Sequence, residues 1–278
     1  MFALRLAPIT FVWLMAQITL LSDFGMQDAS AASAKALLMQ GIKDITITDI
    51  SHMIEPYHVQ QAAYILNAAY TNFPTSSFHI VLCDIFYDTP SRLVLCQHNG
   101  HFFLAPDNGV LSLAFNSKHD GAWLCLEMAP GDNVKQWVNA CVETINKISA
   151  TNSPSNSGLI SYELTNRLTH WQPMITANSI ECHVIHIDRF ENVVVNLTKA
   201  SFEEAARNRP FRIQFVRYQV DTISSHYNDV KQDDMLCRFN AAGYLEIAIN
   251  RGKAASLLGL KLSKEQHLIY NSIKIVFE

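Results

Sequence analysis

The residues best placed to do chemistry are two aspartates that follow the first apolar run. Ile18-Thr19-Leu20-Leu21 leads into Ser22-Asp23-Phe24-Gly25, and Asp28 comes three residues later. A strand that turns into a helix often offers its backbone N–H groups to a phosphate. Here the turn carries carboxylates, and the chain contains no Gly-x-Gly. A carboxylate at the C-terminal end of a strand is suited instead to accepting hydrogen bonds from a sugar diol. The same residues also fit purely local roles, a turn for Asp23 and a helix cap for Asp28. Other reactive constellations are missing from the sequence: there is no Gly-x-Ser-x-Gly nucleophile elbow and no Cys-x-x-Cys. His183 and His186, like His98 and His101, fall on opposite faces of extended chain, so no metal site is expected. Asp107-Asn108-Gly109 reads as a tight turn at the end of a strand.

These residues must be held by an α/β layer. Short β-branched runs near 17–22, 45–49, 78–83, 93–97, 101–105 and 122–127 alternate with helical patterns near 28–40, 58–70 and 133–148. The last helix carries Val134, Trp137, Val138, Cys141, Val142 and Ile145, a stripe for core packing. This alternation predicts a largely parallel sheet, with ligands outside the strand C-termini, where Asp23 and Asp84 would both lie. Residues 149–158 form the one polar, low-complexity stretch and read as a loop or linker. Beyond about residue 175 the pattern becomes strands (181–188, 192–197, 211–217, 243–249, 268–277) with little helix. The organisation expected is an extension over 1–14, an α/β part over 15–150, a linker and crossover over 151–174, and a smaller all-β, barrel-like part over 175–278.

With 278 residues, 49% apolar and 17% charged, the chain can bury ample core. A net charge of −4 with scattered Lys and Arg argues against nucleic acid as the main partner. Six widely spaced cysteines suit buried thiols in a reducing compartment. Residues 1–21 are mostly apolar, with one Arg5, and Ala29-Ser30-Ala31 imitates a signal-peptidase site, but cleavage there would remove the first strand and Asp23. Pro8 interrupts that run, which is short for a membrane span. The expected location is therefore the cytoplasm, and Asn196-Leu197-Thr198 is not expected to carry a glycan.

Several further segments appear in a fixed order: Asp49-Ile50-Ser51-His52, Glu55-Pro56-Tyr57, Phe73-Pro74, Ala105-Pro106-Asp107-Asn108-Gly109-Val110-Leu111, Ile187-Asp188-Arg189-Phe190-Glu191-Asn192 and Gly243-Tyr244-Leu245-Glu246-Ile247-Ala248. From about Met15 to the C-terminus, the chain resembles the S-adenosylmethionine hydroxide adenosyltransferases and the related fluorinating and chlorinating enzymes. In that family water, hydroxide or halide attacks the 5′ carbon of S-adenosylmethionine and expels neutral methionine, without a cofactor. The resemblance implies that Asp23 holds the ribose hydroxyls and that Tyr57 offers a ring to the ligand. It implies that Asp188 faces the methionine ammonium, Phe190 packs on adenine and Asn192 reads its edge. Tyr244 and Glu246 are retained, and Glu246 fits a structural hydrogen bond as well as a ligand contact. It further implies a homotrimer, with each ligand shared between the N-terminal part of one subunit and the C-terminal part of its neighbour.

The catalytic motifs are where the chain departs. Hydrolytic members carry Asp-Pro-Gly-Val-Gly and an arginine after the third strand; here Cys83-Asp84-Ile85-Phe86-Tyr87 stands, with Arg92 one residue displaced. The family's Phe-His-Gly-Arg-Asp is replaced by Met128-Ala129-Pro130-Gly131-Asp132. Its glycine between phenylalanine and asparagine is Glu191, and the serine and halogenase arginine before Gly243 are Ala241 and Ala242. Halogenation is accordingly not expected. Two readings remain open: a hydrolase in which Asp84 and Arg92 position water, or a nucleoside-binding protein that has lost turnover.

Overall fold

Strand β1 (Ala16–Ser22) lies inside a seven-stranded sheet and is buried on both faces. Ile18 and Leu20 join the core beneath α1 (Ser30–Gly41) and α4 (Val134–Thr151). Leu21 faces the opposite core, under α2 (Val59–Tyr70) and α3 (Val110–Ala114). A strand covered by helices on both sides reads as a continuous apolar run, as this one does. The computed structural model describes residues 16–165, 172–262 and 273–278. The expected extension over 1–14, part of the linker and the start of the last strand-like run lie outside the described residues.

The remaining strands of this sheet are β2 (Ile45–Ser51), β3 (Phe78–Leu82), β4 (Arg92–His98), β5 (His101–Pro106), β6 (Gly121–Glu127) and β7 (Ile160–Ser161), in the order β2-β1-β3-β5-β4-β6-β7. The expectation of a largely parallel sheet needs correction. Only β2, β1, β3 and β5 run parallel; β5–β4, β4–β6 and β6–β7 are antiparallel. Two residues, Asn99 and Gly100, join β4 to β5, too few for a parallel crossover. Both have positive φ, 50° and 76°, which is the backbone of a tight hairpin turn.

In α4 the stripe of Trp137, Val138, Cys141 and Ile145 is buried, and Asn133 with Gln136 forms a capping box at its start. A polar seam crosses the sheet on the other face. Thr19 Oγ1 lies 2.8 Å from His79 Nδ1, and His79 Nε2 lies 3.1 Å from His101 Nδ1. Burial pushes His79 down to about 3, so the seam is neutral at ordinary pH.

The C-terminal part holds two antiparallel sheets. One has the order β10-β11-β15-β14, from β10 (Val184–Ile187), β11 (Val193–Thr198), β14 (Met235–Phe239) and β15 (Tyr244–Ile249). The other has the order β13-β12-β16-β9-β8, from β8 (Met174–Ile175), β9 (Ser179–Cys182), β12 (Phe211–Phe215), β13 (Tyr218–Val220) and β16 (Ile273–Phe277). Their inner faces share one core that includes Cys182, Val195, Ile213, Leu245 and Ile275. Two short helices, α5 (Lys199–Ala206) and α6 (Ala254–Leu258), were not expected, nor was β14. Thr198 caps α5 by accepting from Ser201 N, a signal hidden behind an apolar strand. Asn196 is buried in β11 and accepts from His183 N at 2.8 Å, so that side chain serves the sheet. All six cysteines are free.

Trp137 is fully buried, and its indole N–H has no partner among the described residues. Trp137→Ala should therefore cost about 3–5 kcal/mol by chemical denaturation. Trp137→Phe, which loses no hydrogen bond, should cost about half that or less.

Candidate functional site

The parallel strands end on one rim of the sheet, and the acidic turn sits there. Asp23 Oδ2 accepts from Tyr57 N at 3.0 Å and from Asp84 N at 3.1 Å. Its own N–H donates to Leu82 O at 3.3 Å. One carboxylate thus ties together the chain leaving β1, the segment entering α2 and the turn after β3. Tyr57 and Asp84 both adopt positive φ, 66° and 48°, which brings their N–H groups to this oxygen. Burial and the neighbouring Asp23 charge raise the Asp84 carboxyl above its ordinary range. Tyr57 is 72% exposed, and His58 caps α2 by accepting from Gln61 N.

Asn108, expected only as part of a turn, does more. Its Nδ2 donates to Cys83 O at 3.0 Å and to Asp84 O at 3.3 Å, while its Oδ1 accepts from Val110 N. It therefore fixes the Asp84 segment to the start of α3. The adjacent Asp107 is buried and accepts from Tyr162 OH at 2.8 Å and Thr165 N at 3.0 Å. Arg92 donates to Glu127 at 2.8 Å across β4 and β6, its partner in register. Among the described residues Arg92 makes no hydrogen bond or ion pair with Asp84.

A second group of candidates stands on the loop between β10 and β11. Asp188 Oδ1 accepts from Phe190 N and Asn192 N, both at 2.8 Å, and its Oδ2 accepts from Asn192 Nδ2 at 2.9 Å. Asn192 is buried, whereas the Phe190 ring is 73% exposed. Glu191, where the resembled family has glycine, keeps the left-handed backbone at φ 63°. It is held there by Lys253 at 2.7 Å and by the Ser256 N–H and hydroxyl.

Behind this loop, Glu246 is buried and accepts from Tyr227 OH at 2.7 Å, with Arg238 at 4.0 Å. Burial raises its carboxyl. Tyr244 packs edge-on against Tyr64 of α2, and Tyr64 OH accepts from Asn240 Nδ2 at 3.0 Å. The Glu246 partners Tyr227 and Arg238 both belong to the C-terminal part, whereas Tyr64 with Tyr244 and Asn240 forms a contact between the two parts. A cleft of about 830 Å³ lies beside that contact, lined by Glu55, Gln61, His186, Asp188 and Arg189 among others. Of the candidates only Asp188 lines it. The structure therefore gathers Asp23, Tyr57 and Asp84 in one place and Asp188, Phe190 and Asn192 in another. No hydrogen bond or ion pair among the described residues joins the two sets. Nor does any group of three His, Cys, Asp or Glu there have the geometry to hold a metal. No helix among them is long and apolar enough to cross a membrane.

Comparison with known proteins bears on both sets. Residues 18–141 match the model of the SAM hydroxide adenosyltransferase N-terminal domain, and residues 182–266 match that of the C-terminal domain. The chain is 26% identical over 264 residues to the (R)-S-adenosyl-L-methionine hydrolase of Thermus thermophilus, covering 89% of this chain and 97% of that protein. It is 23% identical over 273 residues to the hydrolase of the same name from Methanocaldococcus jannaschii, covering 91% and 95%. Likeness to a fluorinase of Actinopolyspora mzabensis is confined to 46 residues, at 39% identity, covering 16% and 15%. Among solved structures, an uncharacterized conserved protein of Thermotoga maritima superposes with a TM-score of 0.74 at 23% identity, covering 93% of this chain and 99% of that one. A conserved hypothetical protein of Thermus thermophilus gives 0.70 at 25% identity, covering 95% and 100%. Both parts match in order over most of the length, and the chain belongs to the SAM hydroxide adenosyltransferase family.

Proposed function

We propose that this chain hydrolyses S-adenosylmethionine to adenosine and methionine. A water oxygen attacks C5′ while the C5′–S bond breaks, its electron pair staying on sulfur to give the neutral thioether of methionine. The water gives up one proton, and the product hydroxyl is the 5′-OH of adenosine. A sulfonium leaves without protonation, so the barrier lies in aligning and partly desolvating the nucleophile. No cofactor is required by this chemistry.

The observation that carries the reading is the Asp23 carboxylate at the strand C-termini, held rigidly by two backbone N–H groups. Fixed in this way it suits the 2′ and 3′ hydroxyls of a ribose. Asp84, next to it and with a raised carboxyl, suits the orientation of the attacking water and acceptance of its proton. We place Asn192 and Phe190 at adenine, Asp188 at the methionine ammonium, and Tyr57 against the sugar or base. Arg92 is tied to Glu127 and would assist only if that pair opens. The hydrolase names of relatives that span nearly the whole chain favour turnover over a binding role alone.

We propose further that the site is completed in a homotrimer. The separation of the two sets within one chain supports this, as do the exposed rings of Tyr57, Phe86 and Phe190. A boundary between the two parts near 150–175 and a cytoplasmic location, consistent with free cysteines, belong to the same reading.

Purified protein incubated with S-adenosylmethionine should release adenosine, followed by chromatography. Asp84→Ala should lower kcat by about 10²–10⁴-fold. Tight adenosine binding without any release of product would leave only the binding role. Sedimentation should give three times the mass of the chain, and a monomer with full activity would sink the shared site.

A pH test follows from Asp84. Its raised carboxyl means that the folded chain holds this proton more tightly than the unfolded chain does. Its charge therefore costs stability at neutral pH, and the cost disappears as pH falls below the ordinary value of 3.8. Asp84→Asn, which also tolerates φ of 48°, should raise Tm at pH 7. Melts at successively lower pH should show that gain shrinking.

A further inference from the structure

We propose that His52 is a positioning residue that aims the Asp23 carboxylate, acting through Ser22. The inference rests on the reading of Asp23 as the ribose clamp. His52 is 4% exposed, and Ser22 is fully buried. His52 Nδ1 lies 2.7 Å from Ser22 Oγ. Its Nε2 lies 3.1 Å from Asp49 Oδ1, a bent contact rather than an aligned hydrogen bond, and Asp49 is also held by Lys35.

With the ring proton on Nε2, on the side of the Asp49 carboxylate, Nδ1 is left as an acceptor. The Ser22 hydroxyl then donates to Nδ1 and keeps its lone pairs for Phe24 N, 3.4 Å away. The His52 backbone grips the same turn, for His52 O accepts from Gly25 N at 2.7 Å. Gly25 has φ of 71°, a conformation in which a side chain would be strained. Asp23 thus lies between two points, Ser22 and Gly25, that are both fastened to one histidine.

Nothing in the hydrolysis proposed above requires His52 to touch the ligand. Its contacts run from β2 to β1, and through them to the turn. Asp23 has to present its oxygens to a diol with its plane fixed, because a loose carboxylate would lose the benefit of two simultaneous hydrogen bonds. The chain Lys35–Asp49–His52–Ser22 supplies that restraint from outside the site.

The test is calorimetric binding of adenosine and of 2′,3′-dideoxyadenosine to the full chain and to His52→Ala, Ser22→Ala and His52→Asn. The wild type should prefer adenosine, since only adenosine engages the clamp. His52→Ala and Ser22→Ala should weaken adenosine binding by about tenfold while leaving dideoxyadenosine within about twofold of wild type. His52→Asn, whose amide oxygen can accept from Ser22, should keep most of the preference. An equal loss for both ligands in the alanine variants would show a merely structural histidine and overturn the proposal. Unchanged adenosine affinity would overturn it too. A wild type that binds both nucleosides equally would instead remove the clamp reading itself. If His52→Ala does not fold, Ser22→Ala and His52→Asn read the same preference.

Discussion

The Asp23 carboxylate is the junction on which the rim of the sheet depends. Its Oδ2 accepts from Tyr57 N and Asp84 N, and these residues come from separate turns. A carboxylate takes hydrogen bonds from backbone N–H groups more strongly than a neutral acceptor does. That strength offsets the positive φ that both donors adopt. The same oxygen that orders the turns leaves a rigid, charged acceptor group beside Asp84. This structural role for Asp23 is compatible with the ribose contact proposed for it, since a mobile carboxylate could not present a fixed acceptor to a diol.

The strand order determines which residues reach this rim. Parallel β2, β1 and β3 all end there, delivering His52, Ser22 and Asp84 to neighbouring positions. The hairpin at Asn99-Gly100 makes β4 and β5 antiparallel, so that Arg92 begins its strand on the same rim where β5 ends and leads into Asp107 and Asn108. Arg92 is close in topology to Asp84, yet its charge goes to Glu127, its register partner on β6. In the C-terminal part a comparable economy holds. Asp188 folds its own loop by accepting from Phe190 and Asn192, which leaves the Phe190 ring outside. Glu191 occupies a position where glycine would be unstrained, and Lys253 and Ser256 compensate by fixing its side chain.

Much of the fold is legible in the chain. The strand runs of β1 to β6 and the stripe of α4 follow from residue pattern, and β1, β3, β4, β5 and α4 bury continuous faces. The antiparallel half of the first sheet does not follow from that pattern, although Asn99-Gly100 carries a turn signal. Short α3, α5 and α6 escape because a helix of one or two turns has too few residues to show a period. At the site, Asp23 and the Asp188–Asn192 loop can be picked out by their order along the chain. Asn108 and His52 cannot be given their roles, since each works through hydrogen bonds to residues 24–30 positions away.

By itself, then, the sequence determined the layered α/β first half, the strand-rich second half and the identity of the acidic turn, since these depend on local pattern and residue type. Tertiary structure decided which groups that turn holds, through contacts between residues 34 and 61 positions apart, and it raised the Asp84 carboxyl by burying it beside Asp23. It also decided that Arg92 faces Glu127 and that Glu246 faces Tyr227. Hydrogen-bond partners and burial are set by how strands and turns assemble in space, and no spacing along the chain encodes them.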